Sequence, residues 1–209
     1  MSLGMPCAPA REALDYGPQP DPALGIFETI RVDGCACPAL EAHLGRLDQS
    51  ARVLYGIEPP SNLAVRIRER ASGHHGRLRV SFTPDGTVSV GRAPLGAAPS
   101  YTGVAPFTLR DGLGPHKWAD RRLLDALAAA ADGALPLLLD GDGCVLEASW
   151  ANVLIEEQGH LVSPRSDGRL LPGIGRRRLQ YDEEPVDLDR LLAADAVVLT
   201  SALRILRFS

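Results

Sequence analysis

The sequence predicts an α+β protein of two lobes, a small N-terminal α/β lobe over residues 1–95 and a larger one over 106–209. Three observations predict it. Short strand patterns recur on both sides of the chain's midpoint, and each set is accompanied by amphipathic helical stretches. Between the sets, APLGAAPSYTGVAP (93–106) is rich in Ala, Pro and Gly and has little periodicity, which marks 96–105 as the linker. No repeat at solenoid spacing competes with this division.

Bulk properties narrow the class. The chain has 209 residues, 45% hydrophobic and 23% charged, as soluble globular proteins do. No apolar run approaches the ~18 residues a membrane helix needs. The start, MSLGMPCAPAREALDYG, lacks a basic segment followed by an apolar one, so no signal peptide is expected there, and its first residues read as a leader. A net charge of −4, with arginines interspersed among acids, argues against a general nucleic-acid binder. Cysteines at 7, 35, 37 and 144 form no C-x-x-C pair, so free thiols in a cytoplasmic protein, without disulfide or metal, are expected.

The elements follow in order. GIFETIRV (25–32) is β-rich and DGCA offers a turn. LEAHLGRLDQSARVLYG (40–56) places Leu40, Leu44, Leu47, Ala51 and Leu54 on one helical stripe, with Gly56 as its C-terminal stop. NLAVRIRERAS (62–72) reads as a second helix, and GRLRVSF with TVSVGRA, joined by TPDG, as a hairpin. A helix is expected from about Trp118, with Leu123, Leu124, Leu127 and Ala131 on one side. ALPLLLD, CVLEASW, NVLIEE and HLVSP read as an antiparallel meander. LLPGIGRRRLQ reads as a Gly loop entering a helix, DLDRLLAA as a short helix, and AVVLTSALRILRF as a terminal strand pair.

Lys117, in GPHKWADRR, is the only lysine beside 21 arginines. Arginine stays protonated, whereas lysine can lose its proton and form an imine with an aldehyde. A lysine that persists in so arginine-rich a chain is either a chance survivor or one whose task a guanidinium cannot perform. In VLEASWANVLI, strand alternation puts Val145, Glu147 and Ser149 on one face. A carboxylate there either faces water or meets a buried partner, such as a protonated heterocyclic nitrogen. LPGIGRRRL (171–179) is either an ordinary turn or a phosphate cradle at a helix N-terminus. Ser201 follows a strand and offers a hydroxyl and an N–H. Arg46 lies one step off its helix's apolar stripe, either solvated or reaching a phosphate.

Taken together, GIFETIRV, AHLGRL, HKWADR, LLLDGDGCVLEASWANVLI, LLPGIGR and TSALRIL resemble the class IV aminotransferase family. These are the fold-type IV enzymes that use pyridoxal 5′-phosphate, with the D-amino-acid aminotransferase-like architecture. The resemblance runs from about Gly25 to Arg207. It implies that Lys117, on the larger lobe, bonds the cofactor and later moves a proton, and that Glu147 pairs with the pyridine nitrogen. It further implies that Arg46, Ile174, Gly175, Ser201 and Ala202 hold the phosphate, and that Asn152 has a structural role. Three departures stand out. Gly175 replaces a threonine, Asp120 stands where an asparagine is usual, and the Arg-Gly-x-x-x-Arg-Gly segment of many lyases is missing.

Within the family, FETIRV through VLYG and SALRIL most resemble 4-amino-4-deoxychorismate lyases, which release pyruvate and leave 4-aminobenzoate for folate synthesis. A substrate with two carboxylates needs cations, and Arg31, Arg79 and Arg204 are candidates, each equally readable as a surface or structural arginine. A branched-chain or D-amino-acid aminotransferase using 2-oxoglutarate is the alternative, and a non-catalytic relic of the fold a third. The resemblance also implies a homodimer and a small-molecule substrate, while the charge balance and the short apolar runs lead to the expectation of no nucleic-acid or membrane partner.

Overall fold

A computed structural model describes residues 6–209, so the leader reading at residues 1–5 lies outside the described residues. In chain order the strands are β1 (Arg11–Glu12), β2 (Ile26–Gly34), β3 (His74–Phe82), β4 (Val88–Ala93), β5 (Val104–Thr108), β6 (Leu135–Leu139), β7 (Val145–Ala148), β8 (Asn152–Glu157), β9 (His160–Ser163), β10 (Asp182–Glu183), β11 (Ala196–Thr200) and β12 (Ile205–Phe208). The helices are α1 (Leu40–Tyr55), α2 (Leu63–Ala71), α3 (Arg122–Ala130) and α4 (Leu188–Ala193). Among the described residues no helix is long and apolar enough to cross a membrane.

The chain forms two compact units whose boundaries differ from those expected. The smaller holds Pro20–Ala98 together with His116–Asp120, and the larger holds the chain up to Gln19, Pro99–Pro115 and Arg121–Ser209. Lys117 therefore belongs to the smaller unit, not to the C-terminal lobe. The reason is backbone pairing. The Phe27 N–H donates to the Lys117 carbonyl at 2.9 Å, the Ala119 N–H donates to the Gly25 carbonyl at 2.9 Å, and Trp118 bridges Ile26. The segment around Lys117 is thus tied to β2, and the helix expected from Trp118 starts only at Arg122. The linker is likewise shorter than expected, because β5 begins at Val104.

In the smaller unit β2, β3 and β4 form an antiparallel sheet, in register from Ile26↔Phe82 to Gly34↔His74. Period-two alternation turns Ile26, Ile30 and Val32 of β2, and Leu78, Val80 and Phe82 of β3, toward one face. There they meet Leu40, Leu47 and Ala51 of α1 and Leu63, Ile67 and Ala71 of α2. The stripe read from the sequence is the buried side of α1, which ends at Gly56 with φ 68°, a left-handed stop.

In the larger unit β5, β6 and β7 form a sheet with β1 on its edge, β5 and β6 being parallel and joined across α3. A second sheet has the order β10-β9-β8-β11-β12. Leu135, Leu137 and Leu139 of β6 pack with Val153 and Ile155 of β8 and Val197 and Leu199 of β11. On the other side Phe107 and Leu138 meet Leu123, Leu124 and Leu127 of α3. Both faces of β6 are covered, so LPLLL is a continuous apolar run without alternation. The expected four-strand meander is split: β6 pairs with β7 and β8 with β9, but β8 joins β11 in the other sheet.

Candidate active site

In the smaller unit Lys117 Nζ stands 4.8 Å from the centre of the Phe27 ring, and the Arg79 guanidinium stands 3.6 Å from the same centre. The face of the sheet turned away from α1 and α2 carries the alternate residues. Register places Phe27 opposite Ser81, Thr29 opposite Arg79 and Arg31 opposite Arg77. Two predicted substrate residues, Arg31 and Arg79, thus share the face that carries Phe27, and Arg77 joins them. Burial and the neighbouring Arg77 charge push the Arg79 guanidinium below its ordinary value, though it stays cationic at neutral pH. Beside the lysine, His116 Nδ1 lies 3.0 Å from Ser50 Oγ, and burial lowers its imidazole toward the neutral form.

Arg46 is buried on the helix-covered face, where its Nε and Nη2 donate to the two oxygens of Glu28 at 2.7 and 2.8 Å. His43 Nδ1 lies 2.7 Å from Glu28 Oε2. Burial opposes the Glu28 charge, but hydrogen bonds from His43 and Arg46 outweigh it and hold the carboxyl down to about 2. Sequence reasoning missed Glu28. Its signal was available, a carboxylate in FETIR on the alternation that points inward. Asp120 accepts the Asp21 N–H at 2.9 Å, which gives its carboxylate a structural partner.

In the larger unit Glu147 is buried on β7, which excludes the solvent-facing alternative. Leu171 is clamped at both ends of its peptide units. Its N–H donates to Glu147 Oε1 at 3.4 Å, and its carbonyl accepts from Asn152 Nδ2 at 2.8 Å. Glu147 and Asn152 of EASWAN therefore fix the start of the Gly loop, which gives Asn152 the structural role expected of it. A Cβ on Gly173 would fall onto the Asn152 amide oxygen, at 1.6 Å. Ile174, the next loop residue, is buried.

Gly175 has φ −60° and ψ −40°, a conformation open to any residue, so space and not backbone freedom selects glycine there. A Cβ would lie 2.3 Å from the Ser201 carbonyl oxygen and 2.5 Å from Thr200 Oγ1. Gly175→Ala is expected to lower the unfolding free energy by roughly 1–3 kcal/mol through overpacking against that backbone. Urea denaturation measures it, and an unchanged midpoint would show that the loop does not approach β11 this closely. The helix expected after the loop is a single 3-10 turn, Arg176–Arg178, too short to carry a substantial dipole. Arg176 is itself engaged, donating to Ser163 Oγ at 3.1 Å and Glu183 Oε1 at 2.7 Å.

Ser201 closes a tight turn. Its N–H donates to the Arg204 carbonyl at 2.9 Å, and its hydroxyl accepts from the N–H groups of Leu203 and Arg204 at 3.3 and 3.4 Å. The Ala202 carbonyl accepts from Arg178 at 3.5 Å. The adjacent Thr200 differs. Its hydroxyl is buried and has no hydrogen-bond partner. The structure therefore gathers Glu147, Ile174, Gly175, Ser201, Ala202 and Arg204 in the larger unit. Lys117, Arg31, Arg79 and Arg46 belong to the smaller, with Arg46 on the opposite sheet face from the other two arginines.

Residues 116–208, just under half of the chain, match the amino-transferase class IV family. No curated protein sequence matches the chain. A Mesorhizobium loti structure provisionally named an amino-acid aminotransferase superposes with TM-score 0.73 at 25% identity, covering 87% of this chain and 97% of that one. A Haemophilus somnus structure provisionally named a 4-amino-4-deoxychorismate lyase gives 0.71 at 19% identity, covering 86% and 96%. A hypothetical aminotransferase from Mycobacterium tuberculosis, in its PLP-bound form, gives 0.69 at 23% identity, covering 88% and 79%. The class IV family consists of pyridoxal-phosphate-dependent enzymes, both aminotransferases and lyases. With its family match over residues 116–208 and its superposition on these structures, the chain is a protein of the class IV aminotransferase fold.

Proposed function

We propose that the protein is a pyridoxal-phosphate-dependent lyase that cleaves 4-amino-4-deoxychorismate into pyruvate and 4-aminobenzoate. The observation that carries this reading is the sheet face on which Arg31, Arg77 and Arg79 accompany Phe27, against whose ring Lys117 stands. Like charges opposed across a ladder destabilise it, so three guanidiniums on one face favour an anionic ligand. Arginine's forked donors suit carboxylates, and this substrate class carries two.

The residues present fit the cofactor. Glu147 is a buried carboxylate able to hold a pyridine nitrogen protonated, and Gly173 and Gly175 let the loop backbone pack closely against Asn152 and the end of β11, with its N–H groups as candidate phosphate donors. Arg46, Ile174, Gly175 and Ala202 are assigned to the phosphate, whereas Ser201, which the resemblance also put there, spends its N–H and hydroxyl within its own turn. When bound, pyridoxal phosphate supplies an electron sink for the carbon bearing the substrate amine. Lys117 is the chain's only primary side-chain amine, and it is assigned the covalent bond and the proton taken from that carbon. Arg31 and Arg79, and Arg204 from the larger unit, are assigned to the carboxylates. The active form is proposed to be a homodimer.

An aminotransferase is the second reading, favoured by the name of the Mesorhizobium loti structure. A product assay separates the two. Pyruvate and 4-aminobenzoate formed from aminodeoxychorismate support the lyase, whereas glutamate formed from 2-oxoglutarate and an amino acid sinks it.

A further inference from the structure

We propose that Thr200 donates its hydroxyl to the anionic end of the ligand held by the Gly173–Gly175 loop. This rests on the pyridoxal-phosphate reading above. Neither the family resemblance nor the motifs single out Thr200; its geometry does. It ends β11, paired with Asn152 of β8, and only 1% of it is exposed. Among the described residues its Oγ1 is one of three buried side-chain polar atoms with no hydrogen-bond partner. A buried hydroxyl left unsatisfied is costly, and a valine would fill the same volume without that cost. The hydroxyl is therefore retained for an acceptor that the chain itself does not supply.

Two neighbours indicate which acceptor. The Ser201 hydroxyl, one residue on, already serves the Leu203 and Arg204 N–H groups of its own turn. It is held by that turn, whereas Thr200 is not. On the other side stands Gly175, whose missing Cβ would lie 2.5 Å from Thr200 Oγ1. The Gly175 backbone is ordinary, so close packing selects glycine here, with the missing Cβ lying against the Ser201 carbonyl as well as that hydroxyl. A hydroxyl beside a glycine-containing loop suits a phosphate, which offers acceptors and no donors to compete. Glu147, the negative group of this unit's site, sits at the other end of the loop, beside Leu171.

The test uses apo protein titrated with pyridoxal phosphate and, separately, with pyridoxal, which has the same aldehyde but no phosphate. Thr200→Val is expected to weaken pyridoxal phosphate binding by about ten- to a hundredfold, the loss of one hydrogen bond to a charged group. Pyridoxal binding is expected to be unchanged, and Thr200→Ser to keep most of the wild-type affinity. The unfolding midpoint of apo Thr200→Val should hold or rise, because the native apo state loses no bond. An equal loss for both ligands, an unchanged affinity for pyridoxal phosphate, or a drop in apo stability overturns the proposal. If wild-type protein takes up neither ligand, the cofactor reading fails instead. If wild type binds both and the variant does not discriminate, only the Thr200 assignment fails.

Discussion

Lys117→Arg is expected to abolish turnover while leaving the fold intact. The substitution keeps a cation against the Phe27 ring, where Nζ now lies 4.8 Å from the centre, so packing and local charge change little. It also keeps the backbone bonds that tie residues 117 and 119 to β2, since these involve no side chain. What it removes is the primary amine. A guanidinium neither condenses with an aldehyde nor gives up its proton near neutral pH. Loss of proton transfer alone is worth on the order of 10²–10⁴ in rate, and loss of the covalent bond adds to it. The measurement has two parts. Wild-type protein mixed with pyridoxal phosphate and reduced with borohydride should gain a fixed chromophore on the peptide containing Lys117. The variant should gain none on that peptide, because no other lysine exists in the chain and only the N-terminal amine remains to react. A variant labelled elsewhere than at its N-terminal amine, or one that turns over within tenfold of wild type, would remove Lys117 from the chemistry.

Much of this was legible in the sequence because local patterns decided it. The α1 stripe, the Gly56 stop and the TPDG hairpin all depend on neighbours a few residues away, and each formed where periodicity placed it. Glu147 was legible as a carboxylate in an apolar strand, but its burial was not, since that depends on the Leu171 segment packed against it. The expected helix at Trp118 failed because the segment's backbone pairs with β2 instead of with itself. Nothing within HKWADR signals that partner, which lies far upstream at Ile26. The split meander failed for a similar reason. ALPLLLD and NVLIEE read alike as strands, yet β8 pairs with β11, a segment some 40 residues further on. Thr200 was invisible because its interest lies in a missing partner, and absence of a hydrogen bond is a property of three-dimensional surroundings alone.

Glu28→Gln is expected to be the most destabilising conservative change in the smaller unit. The carboxylate is nearly fully buried and receives both Nε and Nη2 of Arg46 as well as the His43 ring. These bonds join α1 to β2 from inside the core, at a point where neither element can turn its polar group to water. Burying the pair was costly, but breaking it is worse, because the Arg46 guanidinium is left without its countercharge. Removing one partner of such a pair costs about 3–5 kcal/mol. Urea denaturation of both proteins at pH 7 measures this, and a difference below about 1 kcal/mol would contradict the buried pairing. The pH dependence supplies a second arm. The Glu28 carboxyl is held at about 2 against an ordinary 4.5, so its stabilisation is complete above the ordinary value. It is lost as pH falls from about 4.5 through 2, and a depression of that size corresponds to roughly 3 kcal/mol. Wild-type stability should therefore fall more steeply between pH 5 and pH 3 than that of Glu28→Gln, whose amide has no proton to take up. Parallel curves over that range would mean that the carboxylate's charge is not what joins the helix to the sheet.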